Sequence, residues 1–407
     1  MSAQLLTLIL VVVVALGFDF TNGFHDTGNS MATSIATGAL KPKTAVALSA
    51  VLNLVGAFLS VEVAITVTNA VVNIQDSDGN PASSLTADHG SALLMIILAG
   101  LIGGILWNVG TWLLGLPSSS SHALFGGLIG ATIAGIGWSG VNWTGDSTKL
   151  DGVLGKVVLP AVASPIIAAV VSMLGTWVIF RITRSLGEGL NGHGFRAGQI
   201  GSSSLMSLAH GTNDAQKTMG VITLALIGYG SWHDTTAIPL WVKVSCAASI
   251  ALGTYLGGWR IIRTLGRGLV EIEPRQGMAA QGSAAAVILA SSQLGLPLST
   301  THVATGAILG SGLGKPGATV RWGVARRMVA AWVITLPMAA GVGALTWYVG
   351  DLFGGGALGA VVMVALLVVL AGLMFLRSRR EPINSDNVND VWNATSTVVE
   401  PSEPVAA

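Results

Sequence analysis

The chain writes one nine-residue string twice within otherwise apolar sequence. Leu114-Gly115-Leu116-Pro117-Ser118-Ser119-Ser120-Ser121-His122 opens one apolar stretch, and Leu294-Gly295-Leu296-Pro297-Leu298-Ser299-Thr300-Thr301-His302 opens another 180 residues later. From Leu114 to Gly130 against Leu294 to Gly310, 8 of 17 positions are identical. A second pair of polar motifs precedes them: Asn22-Gly23-Phe24-His25-Asp26-Thr27-Gly28-Asn29 and His210-Gly211-Thr212-Asn213-Asp214-Ala215-Gln216-Lys217. Polar strings duplicated at matching places inside apolar segments point to two related membrane-embedded halves around a central site.

The surrounding sequence suits a bilayer. Hydrophobic residues make up 51% of the chain and charged residues 10%, whereas soluble chains carry about 25% charged residues. Apolar runs near 4–40, 44–73, 91–116, 119–137, 153–180, 200–228, 239–262, 279–296, 300–314, 327–349 and 357–376 include stretches of about 20 residues, enough to span. The 54 glycines suit close helix packing, and Trp107, Trp112, Trp138, Trp143 and Trp347 suit interfacial anchoring. A net charge of +1 argues against a nucleic-acid partner. The single cysteine, Cys246, excludes an intrachain disulfide. Residues 4–17 lack the basic flank and cleavage site of a signal peptide and read as a retained helix.

Loop charges give an orientation. Lys and Arg cluster at 41–43, 181–196, 260–275, 315–327 and 377–380, while the loops 74–90, 138–152 and 229–238 carry Asp with almost no Lys or Arg. The positive-inside rule puts the basic clusters in the cytoplasm. Counting crossings, the two motif segments then run in opposite directions. The expected fold is an all-α polytopic membrane protein of two inverted repeats, 1–185 and 199–350, with broken or re-entrant helices and ten to twelve membrane segments. An extra helix at 357–376 follows, and a cytoplasmic tail at 381–407 has five acidic residues, three Pro and no Lys or Arg, a composition that reads as disordered.

A charge within the hydrocarbon costs about 2.5–3.5 kcal/mol on insertion scales, so one that persists there faces a partner or a cavity. Asp26 and Asp214 are such charges at equivalent repeat positions. Helical spacing puts Asn29 on the face of Asp26, and His210 and Lys217 on the face of Asp214. Gly23, Gly28 and Gly211 allow unwinding or close backbone approach. Asp19 and Glu62 lack a matched partner, and a structural role serves for them equally well. In the Pro-Ser strings, Pro presets the first helical turn and Ser or Thr caps it. The free N–H groups and the positive helix end then favour an anion. Ser119, Ser120, Ser121, Ser299, Thr300 and Thr301 add hydroxyls that suit a tetrahedral oxyanion. Four of the seven His residues, His25, His122, His210 and His302, fall in these motifs, as in a site or a proton relay.

The paired motifs Asn22–Asn29 and Ala209–Lys217 resemble the signatures of the inorganic phosphate transporter family, most closely its bacterial low-affinity, proton-coupled permeases. The resemblance covers essentially the whole chain apart from the tail. It implies that the protein is no enzyme but a plasma-membrane symporter, with phosphate held between inverted repeats. It implies a substrate and cation site at Asp26, Asn29, Asn213 and Asp214, with phosphate contacts from Ser119, Ser120, Ser121, Ser299, Thr300 and Thr301. Sodium-coupled members commonly carry Asn-Asp with a later Asn in both halves. Here His25 precedes Asp26 and Lys217 replaces the later Asn. Those departures favour protons over sodium, with Mg²⁺ or another divalent ion travelling with phosphate as a neutral complex and Asp26 and Asp214 as its ligands. No resident cofactor is implied, and a homodimer is compatible with the sequence. A phosphate dianion entering against 100 mV faces about 4.6 kcal/mol before any gradient is counted, which supports coupling of some kind. A motif His beside Asp26 or Asp214 is the expected proton carrier, and Lys217 either neutralises Asp214 or contacts the anion.

Other readings stay open at this level. Sulfate is a tetrahedral dianion too, although it lacks the proton with which phosphate donates to a carboxylate. Sodium coupling is a second alternative. An intramembrane aspartyl protease needs Tyr-Asp and Gly-x-Gly-Asp strings, absent before Asp26 and Asp214. A passive anion channel needs no coupling carboxylates.

Overall fold

The computed structural model describes residues 2–70, 83–145, 152–183 and 188–390. Among them the regular structure is helical, joined by loops, with an isolated bridge between Val270 and Val320. The α-helices are α1 (Ala3–Ala36), α2 (Pro42–Gly56), α3 (Glu62–Ala70), α4 (Ser83–Leu113), α5 (Ser120–Ile136), α6 (Leu159–Ile182), α7 (Glu188–Tyr229), α8 (Leu240–Leu256), α9 (Trp259–Arg263), α10 (Pro274–Gln293), α11 (Thr300–Gly314), α12 (Trp322–Leu352) and α13 (Gly356–Ser378). Among the described residues five spans are long and apolar enough to cross a bilayer: α1, 87–113, 154–182, α12 and α13. The pair α8 and 259–268, bent by 61°, makes a sixth. The larger number expected from apolar runs includes α2 and α5, which are apolar but only 15 and 17 residues long. The fold is that of an all-α polytopic membrane protein.

The two motif helices run through the same two apolar cores in opposite order. Leu8 to Phe18 of α1 lie in one core and Met31 to Ile35 in the other, with the motif between them. In α7, Met206 and Ala209 lie in the second core, and Ala215 to Leu226 lie in the first. The helices are therefore antiparallel, and both polar motifs fall in the layer where the cores meet. The half-helices obey the same rule. From their polar starts, α5 runs into the first core through Leu124 to Ala131, and α11 into the second through Val303 to Ile308.

Packing is exchanged between the halves. Glycines replace larger side chains where helix backbones touch, which is how membrane helices approach closely. Gly126 and Gly130 of α5 sit against the carbonyls of Leu336 and Ala340 on α12. Gly306 and Gly310 of α11 sit against those of Pro165 and Ala169 on α6. Likewise Gly23 of α1 abuts Ile250 O of α8, and Gly211 of α7 abuts Asn53 O of α2.

Those contacts correct one expectation. The motif glycines were expected to break or unwind their segments, or to let a ligand approach. Instead α1 and α7 are continuous through their motifs, and Gly23 and Gly211 serve helix-on-helix contact. The interruptions fall elsewhere: at Ala87–Gly90 within α4, where Asp88 and His89 have φ of 49° and 52°, and at Gly257 between α8 and α9.

The tail expected to be disordered from residue 381 is packed at its start. Val388 is buried in the second core, and Asn389 donates Nδ2 to Ile35 O at 3.3 Å. Arg260 donates to the carbonyl of Ser378 at 3.2 Å and to that of Glu381. One apolar side chain and an arginine clamp thus hold a polar stretch in place. The rest of the tail, 391–407, lies outside the described residues, as do 71–82 and 146–151 of the acidic loops.

Candidate substrate and cation site

Each half supplies a polar helix and a half-helix tip. Gly115 and Gly295 turn the chain into the tips with φ of 63° and 65°, a backbone region open to glycine. Ser119 caps α5, accepting from His122 N–H at 3.1 Å, and Ser299 caps α11, accepting from His302 N–H at 3.2 Å. Both tips are buried.

The tips are held by the opposite halves. Asn29 of α1 donates Nδ2 to Thr301 Oγ1 of α11 at 3.0 Å. At the equivalent place in α7, Lys217 donates Nζ to Ser121 Oγ of α5 at 2.6 Å and to Leu298 O at 2.7 Å. Lys217 is buried and also pairs with Asp214 Oδ1. The two carboxylates meet at α11. Thr300 Oγ1 lies 2.7 Å from Asp214 Oδ2 and 3.4 Å from Asp26 Oδ2, and Thr301 Oγ1 lies 3.3 Å from Asp26 Oδ1. His25 Nδ1 is 2.6 Å from Asp26 Oδ1, and His210 Nε2 is 3.0 Å from Asp214 Oδ2.

One ligand atom from each of Asp26, His210 and Asp214 lies within 4.8 Å of the others. Two carboxylates and an imidazole form a mixed oxygen and nitrogen donor set without thiolates, in which the carboxylates suit Mg²⁺ or Mn²⁺ and the imidazole suits a first-row transition ion. Asn29 Oδ1, Ser120 Oγ and Asn213 Oδ1 are buried acceptors without a protein partner, which marks a site built for more than its own residues. Asn213 spends its amide on Ser292 Oγ at 2.9 Å and Leu296 O at 3.3 Å, which anchors the second loop.

The sequence-selected residues divide accordingly. Asp26, Asn29, His25, His210, Asp214, Lys217, Ser121, Thr300 and Thr301 form one connected network. Ser119 and Ser299 act as caps. His122 and His302 do not join the carboxylates by any hydrogen bond or ion pair among the described residues. Their rings meet edge to face at 4.7 Å, and His302 packs on Trp332 at 4.3 Å.

Several supporting groups escaped the sequence reading. Thr111 and Ser118, 2.7 Å apart, each lie 3.4 Å from His25 Nε2. Asn53 holds His210 Nδ1 at 3.1 Å and donates to Thr254 Oγ1 at 2.8 Å. Gln281 donates to Asn29 O at 3.3 Å and Thr33 Oγ1 at 3.0 Å. Thr111, Asn53 and Gln281 come from helices whose own sequence carries no duplicated string, so nothing flags them, and Ser118 lies in the first Pro-Ser string at a place where the second copy has Leu298. Asp19 is fully buried and accepts from Thr218 Oγ1 at 3.0 Å.

A family model described as "Phosphate transporter family" matches residues 22–191 and 187–343. The chain belongs to that family. Both motif pairs of this phosphate transporter family member lie within the matched segments. A "Probable low-affinity inorganic phosphate transporter" from Mycobacterium bovis is 57% identical over 414 aligned residues, spanning 100% of this chain and 93% of the relative. One so described from Bacillus subtilis is 41% identical across 86% of this chain and 98% of its own. A solved structure described as "The sodium-dependent phosphate transporter" shares the fold, with a TM-score of 0.67 and 22% identity over 85% of this chain and 99% of that one. Family membership sets the protein among transporters and not among enzymes.

Proposed function

We propose that the protein imports inorganic phosphate by alternating access, coupled to protons, with a divalent cation travelling as co-substrate. The observation that supports this most is the meeting of Asp26 and Asp214, carried by antiparallel helices, at the capped tip of α11. Relatives described as low-affinity inorganic phosphate transporters point to the same substrate.

Ser120, Ser121, Thr300 and Thr301, with the N–H groups of two helix starts, bind the oxyanion. Asp26 and Asp214 hold the metal, whose charge offsets the anion. His25 and His210, each beside a carboxylate, are placed to exchange the coupled proton. Lys217 keeps Asp214 compensated when no cargo is bound, since an unpaired buried carboxylate is costly. It also supplies in fixed form the positive charge that sodium brings to other members. The carboxylates favour phosphate over sulfate, because phosphate at neutral pH carries a proton to donate and sulfate does not.

Inverted repeats at 1–185 and 199–350 supply the two interconverting arrangements. The antiparallel course of α1 and α7 through shared cores supports that division. The basic clusters orient the C-terminus toward the cytoplasm of the plasma membrane.

The test is phosphate uptake into proteoliposomes with the pH gradient, sodium and divalent cations varied separately. Uptake rises with an inward proton gradient and with Mg²⁺ and ignores sodium. Uptake that needs sodium and ignores the pH gradient overturns the coupling, and equal competition by sulfate overturns the selectivity.

A further inference from the structure

The network at the cargo site leaves one buried acid unused. Asp19 of α1 is fully buried, about two helical turns before Asp26, and the loop charges put it on the outer side. Its Oδ1 accepts from Thr218 Oγ1 of α7 at 3.0 Å, a bond that joins the two halves. Its Oδ2 has no partner, and no ion pair reaches it among the described residues.

Two amides share its surroundings. Asn22 lies one turn further along α1 on the same face, and its Oδ1 is buried without a partner. On α4, Gly104 lies against the Phe18 ring and Thr111 lies 3.4 Å from His25 Nε2. Asn108, between them on that stripe, is set at the level of Asn22, and its Oδ1 and Nδ2 are both orphaned. Three of these orphans are acceptors, Asp19 Oδ2, Asn22 Oδ1 and Asn108 Oδ1, against one donor, Asn108 Nδ2. A proton on Asp19 Oδ2 evens the tally at two of each, and buried polar groups are as a rule satisfied. None of these atoms touches water-sized space, and a proton needs none.

Neighbouring charges do not replace that proton. On α7, Lys217 and Asp214 are the charged neighbours, and they pair with each other. On α8 it is Cys246, with Lys243 one turn beyond. From α4 comes the neutral Asn108, and α13 has no titratable residue before Arg377. The other half lacks the arrangement. In the register that pairs Asp26 with Asp214, Ser207 takes the place of Asp19, and it bonds to Ser49 at 2.9 Å. In the register that pairs Leu114 with Leu294, Ile288 takes the place of Asn108.

We propose that Asp19 is a proton-binding residue of the transport cycle, holding a proton whenever α1 closes against α7 on the outer side. The inference rests on the proton-coupled reading of the carrier. A bare carboxylate at this depth faces no cation of its own, so outer closure waits for the proton. Parting of α1 from α7 admits water and lets that proton exchange with the outer solution.

Two readouts on the full chain in vesicles test it. In infrared spectra at neutral pH, the band of a protonated carboxyl is present in the parent and lost in Asp19→Asn. Thr218→Val, which removes the donor to Oδ1, shifts that band and serves if Asp19→Asn does not fold. In initial phosphate uptake over a series of outer pH, log uptake of the parent rises as outer pH falls. Asp19→Asn lowers that slope by about one, a proton fewer, and Asp19→Glu restores it. Loss of carboxylate bands alone in Asp19→Asn, a band unmoved by Thr218→Val, or an unchanged slope overturns the proposal. A parent indifferent to outer pH instead sinks the proton coupling on which the inference rests.

Discussion

Lys217 of α7 and Ser121 of α5 are joined at 2.6 Å across the two halves, at the place where the first half uses neutral Asn29 on Thr301. One position in a duplicated frame has thus exchanged an amide for an ammonium. Removing it leaves Asp214 buried with only His210 and Thr300 beside it, and breaking a buried pair costs about 3–5 kcal/mol. Lys217→Asn is expected to lower the melting temperature in cation-free buffer, and sodium is expected to restore part of it and to stimulate uptake. A variant as stable as the parent and indifferent to sodium contradicts the role given to Lys217.

Thr300 serves both carboxylates. Thr300→Val keeps the shape and deletes the hydroxyl. A hydrogen bond to a charged group contributes about 1.5–3 kcal/mol, so uptake efficiency is expected to fall about 10- to 100-fold. Ser291→Ala, which loses only a bond to Ile288 O within its own helix, is expected to keep most of it. Initial rates across a phosphate series compare the two.

Helix crossings are expected to be intolerant where glycine meets backbone. A Cβ at Gly310 would overlap the carbonyl of Ala169, whereas one at Gly341 meets nothing within 4 Å. Overpacking costs about 1–3 kcal/mol, while alanine in an open helical position gains roughly 0.5–1 kcal/mol over glycine. Gly310→Ala should lower the thermal midpoint, and Gly341→Ala should hold or raise it.

Much of this was legible from repetition alone. Asp26 and Asp214 stand out because each is a charge in an apolar run with a counterpart in the other half, and the structure brings them together. The capping role of Ser119 and Ser299 follows from Pro-Ser strings read as helix starts. What stayed hidden depends on three-dimensional pairing. No local pattern says that Gly23 and Gly211 face neighbouring carbonyls, so their conformational freedom suggested breaks that α1 and α7 lack. Asn53 and Gln281 look like ordinary polar residues until α2 and α10 are set against the motif helices. The histidines of the Pro-Ser strings look like relay members by clustering, yet their third-residue place on each tip turns the rings toward one another.

Orientation is open to a direct check. In a Cys246→Ser background, cysteine at Asp234 should react with an impermeant maleimide in intact cells. Cysteine at Arg379 should react only after permeabilisation. Both positions are exposed, so the pattern reports sidedness. Reaction of both from the same side contradicts the loop-charge assignment.

The most direct measurement is phosphate uptake by Asp26→Asn and Asp214→Asn in proteoliposomes with an imposed pH gradient. Each substitution keeps the side-chain shape and removes one ionisable group from the shared pocket. Both variants are expected to lose proton-driven uptake, and the double variant to be little worse than either, because the two acids act as a unit. Full uptake retained by both single variants would contradict the account.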